Sequence, residues 1–304
     1  MKYLIKLSFV FILKIVAKSK CLSKLTTLMV SAVCKSLPDA SWKPHVYALM
    51  NSIAWQDIEL TPQKVQIGNT TSITLIPHIH EFDYTTLFWQ SISYEEELYL
   101  WIKDKIQAYD LIIDIGANVG IFSIFSAKAN PAAQVYAFEP STEAFYRLTQ
   151  NKRNNNLSNL TLFNVAVAAD NDFLTFFEPE GHLTNGSLDM NFAMIFDKTP
   201  VKRKVIGINN ELIDKLLATS TKKVLIKIDV EGAETIVLRN LQNSINKYKP
   251  DMIIEVLPSY EKQLNDLEFI KKQYSLFGIE KDGLREREAF VSNTVYRDYF
   301  LSPK

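Results

Sequence analysis

The sequence predicts an α/β protein built on a parallel, doubly wound sheet. Three observations predict it. From Leu111 onward, short apolar runs alternate with segments of helical character. The first run, Leu111-Ile112-Ile113, leads into Asp114-Ile115-Gly116-Ala117-Asn118-Val119-Gly120, a turn that opens a helix. Asp114, Glu139, Ala166 and Asp229 then fall at or just after expected strand ends, which is where such sheets bind ligands.

The elements follow in order. Residues 1–37 form a basic, amphipathic segment, and residues 38–109 a prelude. Within the prelude, Val65 to Ile76 alternates loosely around Gly68-Asn69, which reads as a hairpin. Tyr94 to Ile106 reads as a helix with Glu95, Glu96 and Glu97 in its first turn, where the macrodipole favours acids. The third region is 110–304. Leu111–Ile115 is strand one, and its helix, Val119–Lys128, is stopped by Asn130-Pro131. Gln134–Phe138 is strand two, and Ser141 caps a helix to about Asn154. Leu160–Val165 is strand three. Phe173–Glu178 and Lys202–Ile208 are strands around a polar loop, and Asn210–Ala218 is helical. Val224–Ile228 is a buried-type strand, followed by a helix from about Ala233 to Tyr248. Met252–Val256 is the next strand, Tyr260–Tyr274 a helix, and Gly278–Phe300 two closing strands.

Composition narrows the function. The 304 residues suit one α/β domain plus an appendage, with 47% hydrophobic and 22% charged residues. Net charge is zero but unevenly placed. Residues 1–36 hold seven lysines and no acid, leaving 27 basic residues against 34 acids in the rest. A body of that sign is not built to wrap nucleic acid, and no N/D-P-P-Y/F motif ends a strand. Cys21 and Cys34 make no disulfide framework, and no Cys or His cluster has zinc spacing. His78 and His80 would share one side of a strand beside Glu81 and Asp83, although a polar connection is the simpler reading.

The N-terminal segment lacks a spanning run. Leu7 to Leu13 is the longest uncharged stretch in Tyr3 to Ala17, whereas a spanning helix needs about 20 apolar residues. Lysines interrupt the apolar core, and no clear small-x-small site marks signal cleavage. Turning about 100° per residue, the first six lysines fall on one side of a helix. The segment reads as a helix on an anionic membrane surface, or as one packed on the protein.

The turn itself carries the chemistry. Gly116 and Gly120 let backbone bend and approach a ligand, and helix-start N–H groups could serve as donors. A dinucleotide fingerprint is G-x-G-x-x-G, whereas here Asn118 stands where D-x-G-x-G-x-G has its middle glycine. Asn tolerates left-handed backbone. S-adenosylmethionine is therefore favoured over NAD. Glu139, 25 residues after Asp114, can accept both ribose hydroxyls.

Asp114–Gly120, Ala137-Phe138-Glu139-Pro140, Thr184-Asn185-Gly186-Ser187-Leu188, Leu225-Ile226-Lys227-Ile228-Asp229-Val230-Glu231-Gly232-Ala233-Glu234 and Lys249-Pro250 to Glu255 together resemble the FkbM-type methyltransferases. The resemblance covers about residues 90–300. It implies a class I methyltransferase fold, Rossmann-like with a seven-stranded doubly wound sheet, preceded here by a helical and hairpin extension. It also implies S-adenosylmethionine-dependent O-methylation of sugar or polyketide hydroxyls. Carried over by position, Asp114, Gly116, Asn118 and Gly120 would hold the methionine part. Glu139 would hold the ribose, and Asn164 to Ala166 would lie beside the adenine. Asp229 would end the strand nearest the methyl, or it would cap the next helix. A hydroxyl acceptor also needs a base. The candidates are Asp229, His182, Glu231 and Glu255. Asp229 and Glu255 could instead hold Mg²⁺.

The expectation is therefore an O-methyltransferase for a sugar in a glycolipid or polysaccharide precursor. It would be cytoplasmic and peripheral at the inner membrane face through residues 1–36. The alternatives are a soluble small-molecule O-methyltransferase, a non-catalytic cofactor-binding protein or a nucleotide-dependent oxidoreductase.

Overall fold

The structure is a computed structural model describing residues 11–37, 41–53, 60, 62–67, 71–78, 82–91, 95–168, 172–180, 185–219, 223–292 and 295–304. Two compact units divide the chain: Met1–Ile67 with Ser72–Tyr94, and Gly68–Thr71 with Glu95–Lys304.

In the smaller unit, residues 11–16 and Lys20–Ser36 are helical, followed by a helix at Lys43–Asn51. Strands β1 (Gln63–Ile67) and β2 (Thr71–Leu75) pair as the sequence suggests, and Thr86–Trp89 adds a short helix. Leu13, Ala17, Cys34, Met50, Ile53, Tyr84, Leu87 and Phe88 cluster as its core. Lys43 is buried and donates its ammonium to the Phe88 carbonyl at 3.1 Å. The helix Lys20–Ser36 buries Ser23, Thr27, Ser31 and Cys34. Its leucines and methionine face outward instead, with Leu25 at 53% and Met29 at 62% exposure. Thr27 satisfies its hydroxyl on the Ser23 carbonyl at 3.1 Å, which lets a polar stripe be buried. No described helix is long and apolar enough to cross a membrane.

In the larger unit the main strands are β3 (Tyr109–Ile115), β4 (Gln134–Phe138), β5 (Leu160–Phe163), β9 (Lys223–Ile228), β10 (Asp251–Glu255), β11 (Tyr274–Glu280), β12 (Gly283–Arg287) and β13 (Asp298–Pro303). They form one sheet in the order β12-β11-β13-β10-β9-β3-β4-β5. Strands β5, β4, β3, β9 and β10 are parallel, and β13 inserts antiparallel between β10 and β11. This is the class I methyltransferase fold. The chain leaves β3 toward β4 on one side, while β9 joins on the other. The switch point thus lies beyond the carboxyl end of β3. Strands β6 (Ala166–Val167), β7 (Phe173–Glu178) and β8 (Val201–Ile208) make a separate small sheet in the order β6-β8-β7.

The differences from expectation lie mostly at the C-terminal side. The sheet has eight strands rather than seven, because β12 folds back on β11 as an added edge. The tail gives three strands, and β11 begins at Tyr274, where the expected helix was to end. The helix expected over 233–248 is two helices, Glu234–Asn240 and Gln242–Tyr248, joined at Leu241. Likewise 260–274 contains Glu261–Asn265 and Glu268–Gln273. The polar loop holds an unforeseen helix, Met190–Phe196, capped by Asp189.

Candidate active site

The turn after β3 is set by its own backbone. Gly116, Asn118 and Gly120 all have positive φ (87°, 52° and 90°). Asn118 adopts the left-handed conformation for which it was read as a glycine substitute, and its side-chain oxygen accepts the Val119 N–H at 2.8 Å. A Cβ at Gly116 would lie 1.7 Å from the Asp229 carbonyl oxygen, so only glycine fits. The Asp229 N–H donates to the Ile115 carbonyl at 3.0 Å. The turns after β3 and β9 therefore touch backbone to backbone.

The N–H groups of the turn itself are used internally, whereas the start of the following helix at Ile121 carries no side-chain cap. Gly116 and Ala117 both donate to the Phe138 carbonyl, and Gly120 donates to the Ala117 carbonyl. The Asn118 N–H goes to Glu139 Oε2 at 2.8 Å. What the turn presents is acceptors. Asp114 is 1% exposed, accepts from the Ser123 hydroxyl through Oδ2, and leaves Oδ1 buried without a hydrogen-bond partner. Glu139 is 6% exposed, and its Oε1 accepts the Ser141 N–H at 2.7 Å. Neither is an exposed loop acid. Burial raises Asp114 to about 6, against the nearby Lys227 charge and then the Ser123 hydroxyl, and raises Glu139 to about 7, against the N–H groups of Ser141 and Asn118.

Ser141 caps the helix Thr142–Asn154, as expected. Asn164 follows β5 and donates to the Glu139 carbonyl at 2.8 Å and the Pro140 carbonyl at 3.1 Å. Ala166, by contrast, packs its methyl with Phe176 and Val205, which leaves its backbone as its polar offering.

A second group of carboxylates follows β9 and β10. The register pairs Ile228 with Ile254, which brings Asp229 beside Glu255. Asp229, Glu231 and Glu255 each bring a carboxylate oxygen within 4.8 Å of the others. Asp229 does not cap the following helix. That helix begins at Glu234, and Glu234 Oε1 accepts the N–H groups of Val230 and Gly232, both at 3.1 Å. The Asp229 side chain instead accepts from the Lys227 ammonium. Glu231 holds a positive φ of 53°, and its carbonyl accepts the Ser187 hydroxyl at 2.7 Å. Ser187 comes from the Asn185-Gly186-Ser187-Leu188 stretch, and its hydroxyl also accepts the Asp189 N–H. Tyr260 in turn donates to Asp189 Oδ2 at 2.9 Å. The motif loop thus fixes the turn that carries Glu231. Burial, and then the charge of Asp229, raise both Glu231 and Glu255 well above the usual carboxylate range.

Lys227 was absent from the candidates named in the sequence. It is 3% exposed within β9, 2.5 Å from Asp229 Oδ2 and 3.4 Å from Glu95 Oε1. Burial pulls its ammonium down, but the carboxylates of Asp229, Glu95, Asp114 and Asp298 hold it well above its ordinary value. Its signal was present in the sequence: a lysine inside an otherwise apolar strand needs buried partners. Glu95 was read as a first-turn acid. Instead it lies just before the helix Glu96–Ile102, turned onto Lys227. His182 lies outside the described residues, as do His80 and Glu81. His78 lies in the connection after β2.

Residues 114–278 match the Methyltransferase FkbM domain. Hexuronic acid methyltransferase AglP of Haloferax volcanii is 28% identical over 152 residues, covering 50% of this chain and 58% of that one. 31-O-demethyl-FK506 methyltransferase FkbM of Streptomyces tacrolimicus is 24% identical over 176 residues, covering 50% of this chain and 66% of that one. The chain thus spans under two thirds of the length of these curated relatives. A solved methyltransferase FkbM from Methylobacillus flagellatus gives a TM-score of 0.40 at 16% identity, over 64% of this chain and 44% of that one. The match over more than half of the sequence, on a class I methyltransferase sheet, places this chain in the FkbM methyltransferase family.

Proposed function

We propose that this protein is an S-adenosylmethionine-dependent O-methyltransferase acting on a sugar hydroxyl. One observation carries the choice of cofactor: the turn after β3 uses its own N–H groups internally and presents buried carboxylates. A pyrophosphate needs donors there. A molecule with a cationic methionine end and a ribose needs acceptors. The unpartnered Asp114 Oδ1 suits the ammonium, and Glu139 suits the ribose hydroxyls, as its position implied. Gly116, Asn118 and Gly120 shape the floor on which the methionine part would lie, and Asn164 to Ala166 border the adenine end.

The cofactor supplies an activated methyl group, so the protein's work is positioning and removal of the hydroxyl proton. Asp229 lies against Gly116, hence beside the donor, with Lys227 holding one of its oxygens. Glu231 lies beside Asp229 and Glu255, and burial raises its carboxyl well above the usual carboxylate range. Asp229 and Glu231 are our catalytic candidates, with His182 a further one. The acceptor class rests on the AglP relative, whose name gives a hexuronic acid acceptor. Incubating the full chain with labelled S-adenosylmethionine and glycan or glycolipid acceptors tests the reading. We expect S-adenosylhomocysteine and a methyl ether on a sugar. Labelled polyketide with unlabelled sugar would move the acceptor to the small-molecule alternative, and cofactor binding without turnover would support a non-catalytic protein.

We further propose that the acceptor is lipid-linked and is met at the inner membrane face. The outward Leu22, Leu25, Met29 and Val33 of the helix Lys20–Ser36 favour this, with Lys14, Lys18, Lys20 and Lys24 exposed on the same segment. Sedimentation with anionic vesicles should pull down the full chain and leave a Leu25→Ser, Met29→Ser, Val33→Ser variant in solution. Equal partitioning of the two contradicts the idea.

A further inference from the structure

We propose that Asp229, Glu231 and Glu255 form a binding site for one divalent, oxygen-seeking cation of the Mg²⁺, Mn²⁺ or Ca²⁺ type. The three carboxylates come from different backbone settings: the end of β9, a left-handed residue in the following turn, and the last position of β10. Their oxygens nevertheless converge to within 4.8 Å of one another. Ca²⁺ takes oxygens at about 2.3–2.6 Å and Mg²⁺ at about 2.0–2.1 Å, so a shared shell spans about 4–5 Å across. Ca²⁺ accommodates that spread with the widest pair on opposite sides of the ion, and Mg²⁺ requires that pair to close by about 0.6–0.8 Å.

A separate observation points to a missing partner. Glu255 is 3% exposed, yet its Oε2 has no hydrogen-bond partner, while its Oε1 is 3.7 Å from the Arg297 guanidinium. A buried carboxylate oxygen left without a donor is costly unless something positive meets it. Lys227 does not fill that role, because its contacts are with Asp229 Oδ2 and Glu95 Oε1. The Glu231 turn is also built in place, by the Ser187 hydroxyl on its carbonyl and by Glu234 on the flanking N–H groups. Such backbone strain marks positions where surrounding structure fixes a side chain for a task.

Carboxylates alone do not fill the shell of such a cation, so coordination positions remain for neutral oxygens. Those would be taken by water or by neighbouring hydroxyls of the sugar. This extension rests on the proposed methyl transfer, whereas the cation site itself does not. Held by Asp229, Glu231 and Glu255 in that setting, a cation would supply Lewis acidity toward an acceptor hydroxyl. It would also let three acids receive an acidic sugar that they would otherwise repel.

The test uses the full chain and Mn²⁺ alone, without cofactor or acceptor, read by electron paramagnetic resonance and repeated by calorimetry with Mg²⁺ and Ca²⁺. We expect one Mn²⁺ per chain. Glu255→Gln and Glu231→Gln should each weaken it by at least about tenfold, the loss that follows removal of even an outer partner of a ligand. S-adenosylhomocysteine affinity and the thermal transition of each variant show whether the fold is kept. A chain that binds Mn²⁺ but no S-adenosylhomocysteine keeps this inference and sinks the cofactor reading. Absence of stoichiometric Mn²⁺, Mg²⁺ and Ca²⁺ binding overturns the inference, and so does equal Mn²⁺ binding by wild type and by folded Glu255→Gln and Glu231→Gln proteins.

Discussion

The two groups of carboxylates at the carboxyl ends of the central strands are held in different ways. Glu139 is fixed by neutral donors, the N–H groups of Asn118 and Ser141, while Asp114 takes the Ser123 hydroxyl and feels the more distant Lys227 charge. Asp229 and Glu255 are held by ions, Lys227 at 2.5 Å and Arg297 at 3.7 Å. The Glu139 arrangement tolerates a change of charge, because its donors are neutral backbone groups. The ion-held one does not, because removing one charge leaves another buried and unbalanced. On the reading proposed above, the β3 side would be a preformed receptor and the β9–β10 side an electrostatic balance.

The largest effect should come from upsetting that balance. Lys227→Met leaves Asp229 and Glu95 without their shared cation, and we expect a loss of about 3–5 kcal/mol in urea unfolding. A loss below about 1 kcal/mol would mean the pair is already open to solvent. Gly116→Ala should come next. Its Cβ has no room beside the Asp229 carbonyl, and its φ is positive. It should cost more than about 1 kcal/mol of stability and push S-adenosylhomocysteine binding below detection by calorimetry.

A neutral replacement at Glu139 should cost affinity and a smaller amount of stability. Glu139→Gln should weaken S-adenosylhomocysteine by about tenfold, equivalent to about 1.4 kcal/mol, and cost about 1 kcal/mol in unfolding, because Gln offers one oxygen to the two N–H groups of Asn118 and Ser141. The same residue gives a pH dependence. Its carboxyl moves from 4.5 to about 7 on folding, so the folded chain binds that proton more tightly than the unfolded chain does. Glu139 therefore subtracts stability as pH rises from about 4.5 to about 7. Cofactor affinity should move the other way, increasing between pH 6 and 8 as the acceptor ionises. Affinity that is flat over that range, or a slope surviving in Glu139→Gln, would assign the titration elsewhere. The smallest effect belongs to Asn118→Gly. Glycine adopts the left-handed turn freely but loses the side-chain bond to Val119, so stability should change by less than about 1 kcal/mol.

The same contrast explains what could be read from sequence. Gly116, Asn118, Gly120 and Glu139 follow from local chemistry, since a strand end, two glycines and a spaced acid imply their own geometry. Strand β4 falls on its expected residues because apolar alternation and the Asn130-Pro131 stop bound it. The electrostatic side depends on residues far apart in the chain. Glu95 meets Lys227, and Ser187 reaches Glu231, only after the chain has folded. Glu234 rather than Asp229 serves the turn after β9, a choice that spacing alone leaves open. The small polar face of Lys20–Ser36 was hidden for a related reason. Periodicity gives two faces, but burial of Ser23, Thr27 and Ser31 is decided by what packs there.

The central claim is that the turn after β3 receives a cation and a ribose rather than a pyrophosphate. Parallel calorimetric titrations of S-adenosylhomocysteine and NAD into the wild type and Glu139→Gln test it most directly. The account predicts saturable S-adenosylhomocysteine binding that weakens about tenfold in the variant, with no binding of NAD. NAD binding to the wild type, or equal S-adenosylhomocysteine affinity in both proteins, would contradict it.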